Sequence, residues 1–248
     1  MELLEGERVL AFDLETTGIN TKNDRIVQLA LIGSDSNGSE ISYDQLVNPR
    51  RPIPYDSQRI HGISDSDVRG EPDFATIADR VSELIEGSVL IGHNVRQFDL
   101  PMLRTEFLRI GALPPEPKAV IDTLELARRL KLPRPHRLGT LCNRHGISLE
   151  NAHTASADAA ASLLLLWKLG RDHPSYFRKS LQEVEQWCIT GTSAKSQSEL
   201  GPQLEDLEPL DSGGMVRKDG PHLVLAVGRH RGRHLEEVRD SDPSYLQW

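Results

Sequence analysis

Two acidic residues at the end of an apolar segment are the first feature of this sequence that could do chemistry. Asp13 and Glu15 lie two positions apart in FDLETTG, where the apolar run of residues 8–13 ends. In a β-strand, side chains at i and i+2 project from the same face of the sheet. Hard divalent cations prefer oxygen ligands such as carboxylates. The pair therefore predicts a metal site at a strand end, with acids that merely follow a strand as the ordinary alternative.

Two more acids and a histidine occur in similar contexts further along the chain. Asp99 ends the segment GHNVRQFD, and Asp158 ends HTASAD, five residues after His153. Each residue has an ordinary alternative role. Asp99 could cap the helix that begins there, Asp158 is favoured by the helix dipole in the first turn of a helix, and His153 could be a surface loop residue. Taken singly, none of the three predicts catalysis.

Taken together, the five residues resemble the DEDD (DnaQ-like) exonuclease superfamily, whose members have the ribonuclease H-like fold. Its first motif is a strand carrying DxE, which Asp13 and Glu15 match, and the other two motifs match GHNVRQFD and HTASAD. In the DEDDy subgroup a tyrosine precedes the last aspartate by four residues. Thr154 holds that position here, so His153 matches the histidine of the DEDDh subgroup. The resemblance covers residues 8 to about 170.

The resemblance implies a 3′-to-5′ exonuclease that uses two Mg²⁺ ions, for which Mn²⁺ would substitute, and that releases nucleoside 5′-monophosphates. Asp13 would bridge both ions, Glu15 and Asp158 would complete the site that activates water, and Asp99 would support the other ion. His153 would be the general base, since imidazole titrates near neutral pH.

Several neighbouring residues are expected to contact the substrate. The turn after Glu15 would let the backbone approach a nucleotide, and the segment RIHGIS resembles one that lines the substrate groove of the family. Asn94 could contact the nucleotide or cap the following helix. The predicted substrate contacts are Thr16, Thr17, Gly18, Ile19, His61, Ile63, Asn94 and Phe98. By contrast, DTLE is assigned a structural role as a helix start, in which Asp122 or Thr123 caps the helix and Glu125 completes the arrangement. Neither His61 nor His93 is assigned the base.

The elements that must position these residues follow from hydrophobic periodicity. Strands arranged first as a meander and then alternating with helices predict an α/β fold with a mixed five-stranded sheet flanked by helices. The predicted strands span residues 8–13, 25–33, 40–47, 88–92 and 119–122. The predicted helices span residues 73–86, 99–109, 123–130, 138–145, 154–169 and 176–188.

The C-terminal part of the chain has a different composition. Residues 1–189 are predicted to form the exonuclease domain, residues 190–214 a flexible linker rich in Ser, Gly, Asp and Glu, and residues 215–248 a small basic module with a strand at 222–227. A terminal helix is expected to begin near Asp242 and to be truncated at Trp248. This segment resembles the C-terminal element of exodeoxyribonuclease X relatives, which favours DNA over RNA. Its GRHRGRH sequence could bind phosphate, form a tight basic turn, or belong to a surface for a protein partner.

Charge and composition restrict the function further. The formal net charge of −8 argues against coating nucleic acid through bulk positive charge, so a nucleic acid must be held locally. The basic stretch Arg128, Arg129, Lys131, Arg134, His136 and Arg137 is the candidate, with a solvated loop as its alternative. Two distant cysteines, no signal-like N-terminus and no long apolar run predict a cytoplasmic, membrane-free protein.

Two other functions use the same fold. An exoribonuclease would need the same five residues, and a catalytically silent nucleic-acid-binding protein would need only the fold. The complete set of five argues against the silent protein. The favoured substrate is DNA that is single-stranded or has a 3′ overhang.

Overall fold

A five-stranded sheet forms the main body of the computed structural model, which describes residues 2–149, 153–190 and 204–246. Its strands are β1 (Val9–Thr16), β2 (Ile26–Ser34), β3 (Glu40–Leu46), β4 (Val89–Gly92) and β5 (Ala119–Asp122). They are arranged in the order β3-β2-β1-β4-β5. The first three strands pair antiparallel and the last two join in parallel. The predicted mixed sheet is confirmed.

The acid-bearing strand β1 lies at the centre of this sheet, between β2 and β4. Because helices cover both faces, its residues are apolar in succession instead of alternating with polar ones. Leu10 and Phe12 face one core, whereas Ala11 faces the other. Asp13 and Glu15 have the same parity as Ala11. Both carboxylates therefore project toward the helices on Ala11's side of the sheet.

Eight helices are described before residue 190. They are α1 (Tyr55–His61), α2 (Asp65–Val68), α3 (Phe74–Ile85), α4 (Asp99–Arg109), α5 (Thr123–Arg129), α6 (Leu138–Arg144), α7 (Ala155–Asp172) and α8 (Leu181–Thr190). Helices α3 and α4 pack on one face of the sheet, and α5 to α8 pack on the other. The flanking helices were predicted, but the short α1 and α2 were not, because each buries a single residue, His61 in α1 and Val68 in α2, and so shows no apolar periodicity.

Helix α7 approaches the sheet closely because small residues face it. Ala155 and Ala159 pack against Ala11 and Ala30. The backbone N–H of Ala155 also donates a hydrogen bond of 3.2 Å to the side-chain oxygen of Gln28 on β2. These contacts place the first turn of α7 over the C-terminal half of β1.

The C-terminal module contains a second sheet, in the order β6-β7-β8. Its elements are β6 (Glu208–Pro209), β7 (Val216–Asp219), β8 (His222–Leu225) and α9 (Leu235–Ser241), with short 3₁₀ helices at Leu204–Asp206 and Pro243–Leu246. Leu204 and Leu207 pack against Val224 in a separate small core. The module therefore begins at residue 204 in the described chain.

This start corrects the predicted linker at its C-terminal end. Residues 204–214 were assigned to the linker because they lack periodicity, yet β6 pairs with β7. Residues 191–203 lie outside the described residues, and a linker there stays a prediction. The helix expected near Asp242 is a short 3₁₀ helix, and α9 was not predicted.

Membrane and redox expectations can be compared with the described part of the chain. None of its helices is both long enough and apolar enough to cross a bilayer. Cys142 and Cys188 are buried and free. The cytoplasmic location stays a prediction.

Candidate active site

Three carboxylates converge where β1 meets the first turn of α7. One oxygen each from Asp13, Glu15 and Asp158 lies within 4.8 Å of the other two. The first two reach this point because they are two apart on one strand, and the third because α7 packs against that strand. Three carboxylate oxygens at this spacing are a donor set that fits a hard divalent cation.

Asp99 lies beside this group at the first residue of α4, and only 4% of its surface is exposed. Its Oδ1 accepts a hydrogen bond of 3.1 Å from the backbone N–H of Leu14. The helix cap is Phe98, so the alternative role of Asp99 as a side-chain cap is not what the structure contains. The Asp99 side chain instead contacts β1 at Leu14, the residue between Asp13 and Glu15.

Burial and mutual repulsion make the cluster hard to ionise without a cation. The pKa of Glu15 is raised to about 8, mainly by burial and secondly by the negative charge of the nearby Asp158. The pKa of Asp13 is also well above its usual range, because of burial first and then Asp99, Asp158 and Glu15. Burial raises the pKa of Asp158 as well. A bound cation would remove this penalty by compensating the negative charge.

Metal binding is therefore expected to stabilise the protein more at pH 8 than at pH 6. The pKa of Glu15 is raised from 4.5 to about 8. The folded, metal-free protein thus retains a proton that the unfolded chain releases, and its free energy of unfolding falls as pH rises between these values. At a Mg²⁺ concentration a hundredfold above Kd, we expect the melting temperature at pH 8 to rise by roughly 5–10 °C. Thermal melts with Mg²⁺ or chelator at both pH values measure this effect.

Glu15→Gln serves as the control for this experiment, since glutamine cannot ionise. The variant should lose most of the Mg²⁺ effect and part of the pH dependence in chelator. Equal Mg²⁺ effects in wild type and variant at both pH values would contradict a cation site at Glu15.

His153 lies in the exposed loop just before α7. Its backbone N–H donates a hydrogen bond of 3.2 Å to Asp158 Oδ2, and its φ of 70° is in the left-handed region. Residues other than glycine rarely adopt this region. The hydrogen bond to Asp158 thus helps to hold the histidine beside the carboxylates in a conformation that it would otherwise disfavour.

The two other histidines considered as bases have structural partners. His93 Nδ1 lies 2.9 Å from the hydroxyl of Thr123, and His61 Nδ1 accepts a hydrogen bond of 3.0 Å from the backbone N–H of Ile63. Burial lowers the pKa of both imidazoles. Their assignment away from the base role is consistent with these contacts.

Gly18 is required in the turn after Glu15, but for a different reason from the predicted approach of a nucleotide. The Thr17 hydroxyl donates to Asp24 Oδ1 at 3.0 Å, and a Cβ on Gly18 would lie 2.5 Å from the same carboxylate. The close approach that requires Gly18 is therefore made by Asp24, and the Thr17 hydroxyl is engaged within the turn. Ile19, by contrast, is 90% exposed and available to a substrate.

Three of the remaining predicted substrate contacts are buried. Ile63 packs against Val27, Ile53 and Val68 and is 9% exposed. Most of this side chain belongs to the core, and its predicted contact with the substrate stays a prediction. Thr16 and His61 are also buried.

Two of these predicted contacts lie at the start of α4. Phe98 is the residue before the helix and is partly buried against the core. Asn94 is not the cap residue of α4, and it lines a cavity together with His153 and Asp158. Of its two predicted roles, only nucleotide contact remains as a proposal.

Asp122 has the structural role that its sequence context predicts. It caps α5 by accepting from the N–H of Leu124 at 2.9 Å, and it also accepts from the N–H groups of Asn94 and Arg96. Glu125 does not complete a capping box, because it pairs with Arg96 at 3.3 Å. Asp122 thus fixes the loop between β4 and α4.

Gln28 is a positioning residue that sequence reasoning missed. Its amide oxygen holds the first turn of α7, and its amide nitrogen donates to Asp44 Oδ1 at 2.7 Å. It lies directly opposite Glu15 in the β1–β2 ladder. The available signal was a single amide side chain in the otherwise apolar strand IVQLALIG.

The basic stretch that begins in the last turn of α5 is not simply a solvated loop. Arg128 and Arg129 are buried, and Arg129 Nε donates a hydrogen bond of 3.0 Å to the carbonyl of Cys188. Arg134 pairs with Asp219 of the C-terminal module at 2.8 Å. The stretch therefore contacts α8 through Arg129 and the C-terminal module through Arg134.

The sequence model of the RNase T exonuclease family matches residues 10–166. This range is more than half of the chain and includes all five residues predicted to form the site. The chain belongs to the RNase T exonuclease family. The resemblance to DnaQ-like DEDD enzymes and the ribonuclease H-like fold are thereby confirmed. The match ends before the C-terminal module, whose similarity to exodeoxyribonuclease X relatives stays a prediction.

Individual relatives and solved structures agree with this family assignment. The PolC-type DNA polymerase III of Halalkalibacterium halodurans is 36% identical over 172 residues, which are 68% of this exonuclease-family chain but 12% of the polymerase. Escherichia coli exonuclease I in complex with a dT13 oligonucleotide superposes with a TM-score of 0.59 at 25% identity, covering 68% of this chain and 43% of that one. A zinc-bound form of that enzyme with single-stranded DNA gives a TM-score of 0.60 at 25% identity, covering 68% and 41%. The chain thus spans only part of each of these proteins.

Proposed function

We propose that this exonuclease-family protein is a DEDDh-type 3′-to-5′ exonuclease that acts on single-stranded DNA and releases nucleoside 5′-monophosphates. The observation that carries the proposal is the convergence of oxygens from Asp13, Glu15 and Asp158 within 4.8 Å. Asp99 beside them and His153 bonded to Asp158 complete the set of residue types that this chemistry requires. The DNA-bound structures of the similar exonuclease I support DNA as the substrate.

The proposed cofactor is Mg²⁺, with two ions per site and Mn²⁺ as a substitute. Asp13, Glu15, Asp99 and Asp158 would hold the ions, which supply charge neutralisation at the phosphate and an acidified water. The donor set consists only of carboxylates, which suits these hard cations better than softer metals.

The protein residues hold and orient the reacting groups. Because Asp13 and Glu15 belong to a central strand, their side chains are held in place before the substrate arrives. An imidazole nitrogen of His153 accepts the proton of the attacking water. The new bond joins the water oxygen to phosphorus, and the bond from phosphorus to the 3′ oxygen of the remaining strand breaks. The phosphate stays on the 5′ oxygen of the released nucleotide, and the 3′ oxygen of the remaining strand takes up a proton from solvent.

The end that is cut gives a direct test of this reaction. We expect 5′-labelled linear single-stranded DNA to shorten one nucleotide at a time with Mg²⁺ or Mn²⁺, and the product to be nucleoside 5′-monophosphate. A 3′-phosphate should block the reaction, because the proposed site starts from a terminal 3′ hydroxyl. Denaturing gels and chromatography of the products measure both outcomes.

Matched RNA, duplex DNA and a closed single-stranded circle are the controls for polarity and substrate. Faster cleavage of RNA than of DNA would replace the DNA proposal with the exoribonuclease alternative. Cutting of the circle would show endonuclease activity and contradict the proposed reaction. No cleavage of any substrate would favour the silent binding protein.

A further inference from the structure

A cavity of about 1060 Å³ connects the acidic cluster with the C-terminal module. His153 and Asp158 line one part of it, and Arg231 and Arg233 of the module line another. Pockets for drug-sized ligands occupy roughly 300–1,000 Å³. The cavity therefore has room for more of a substrate than its terminal nucleotide.

Polar contacts hold the module against the sheet body beside this cavity. Arg134 Nε lies 2.8 Å from Asp219 Oδ2, and their side chains are only 14% and 24% exposed. Arg137 donates a hydrogen bond of 2.6 Å to the backbone carbonyl of Arg231, and Arg144 pairs with Glu237 at 3.4 Å. The module is thus docked on the basic stretch that precedes α6, and the cavity lies between the two parts.

The cavity concentrates positive charge in an otherwise acidic chain. Apart from Asp158, its acidic lining residues are Glu205 and Glu237. Its basic lining residues include the arginines 128, 134, 137, 144, 231 and 233. The chain as a whole carries a formal net charge of −8. A polyanion would therefore find locally favourable electrostatics here.

Two of these arginines can exchange their carboxylate partners for phosphate groups of a ligand at small energetic cost. Arg231 pairs with Glu205, and these side chains are 55% and 61% exposed. Arg233 is less exposed, at 27%; it lies 3.7 Å from Glu237 and donates a hydrogen bond of 3.0 Å to Ser241 Oγ. Exposed ion pairs contribute little to stability, so a phosphate group can take the place of Glu205 at Arg231, and the long distance to Glu237 leaves Arg233 able to bind a second phosphate.

We propose that residues 204–246 form the second wall of a channel in which arginines of both walls bind the phosphate backbone of single-stranded nucleic acid. The strand lies in the cavity with its 3′ end at the acidic cluster. This inference rests on the proposed function for the direction of the strand. DNA and RNA share the phosphate chemistry, and phosphate contacts carry little sequence information.

The test compares two full-length double variants that remove the same charge from the module. Arg231→Gln with Arg233→Gln removes two cavity arginines but keeps the backbone carbonyl that accepts from Arg137. Lys218→Gln with Arg239→Gln is the matched control, because both side chains are exposed and neither lines the cavity. Arg231→Lys with Arg233→Lys tests rescue by charge alone.

Binding is measured by fluorescence anisotropy with 20-nucleotide DNA and RNA strands that carry a blocking 3′-phosphate. For the cavity variant at about 50 mM salt, we expect Kd to rise about tenfold or more for both strands. The slope of log K against log salt should become shallower by about 1.4, or 0.7 for each lost contact with a single strand. The control should keep Kd within about twofold and the wild-type kcat on a trinucleotide, and the lysine variant should recover most of the affinity.

Several results would overturn the channel. These are an unchanged Kd and salt slope in the cavity variant, equal losses in the control, or a loss confined to DNA or to RNA. An unchanged Kd would leave the module to another role, such as binding a protein. Absence of hydrolysis by the wild type, with the expected binding losses, would overturn the proposed function and leave the channel supported.

Discussion

Asp13→Ala is expected to abolish hydrolysis of single-stranded DNA. Asp13 is the acid with three carboxylate neighbours, since Asp99, Asp158 and Glu15 all raise its pKa. Its removal should displace cations that contribute several kcal/mol to the transition state, which corresponds to a loss of about a thousandfold or more in rate. Single-turnover assays with Mg²⁺ measure the loss.

The same substitution should leave the fold intact. Because it removes one of several buried, mutually repelling carboxylates, the melting temperature in chelator should be unchanged or higher. Asp79→Ala is the matched control, since Asp79 lies on the exposed face of α3 and its loss should leave the rate unchanged. Substantial Mg²⁺-dependent activity in folded Asp13→Ala would disprove the assignment of this residue.

His153→Ala is expected to reduce the rate about a hundredfold or more, the usual contribution of a positioned general base. Binding of metal and of blocked DNA should persist, because the carboxylates remain. The acidic side of the pH–rate profile should also flatten, since only the neutral imidazole accepts a proton. Pre-steady-state rates across pH, with Kd for the blocked strand, separate chemistry from binding.

A histidine at the other end of α7 provides the control for this variant. His173 follows the last residue of α7, at the opposite end from Asp158, so His173→Ala should retain the full rate. If His153→Ala also retains the full rate, the proton is accepted by another group, and the DEDDh assignment fails. His93 is then the next candidate.

The sheet and the acidic cluster could be predicted because their signals are local or belong to a family. Strand β1 is an apolar run that ends in two acids, and its period of two fixes where Asp13 and Glu15 project. Asp99 and Asp158 are distant in sequence, and only the resemblance brought them to the same place. For Asp158 the structure adds the reason, which is a helix with alanines at the positions that face the strand, and for Asp99 it is the hydrogen bond from the backbone N–H of Leu14.

The supporting contacts could not be predicted for a different reason. Gln28 holds the backbone of Ala155, 127 residues away, and Arg134 pairs with Asp219 across 85 positions. Single polar pairs over such separations leave no periodic pattern in the sequence. Residues 204–214 were mistaken for a linker on the same grounds, because a strand of two residues is too short to show alternation.

The position of β1 inside the sheet has a consequence for the metal-free protein. Its pairing with β2 runs through Asp13 and Glu15, and its pairing with β4 holds Val9 to Ala11 at the start of the strand. Separating the two strand carboxylates therefore requires breaking the β1–β2 ladder in the middle of the sheet, so their repulsion acts on the stability of the whole domain. The fold itself brings together the three carboxylates that could bind a cation, so little of the binding free energy would be needed to order the site. Folding would thereby prepare the domain for metal uptake.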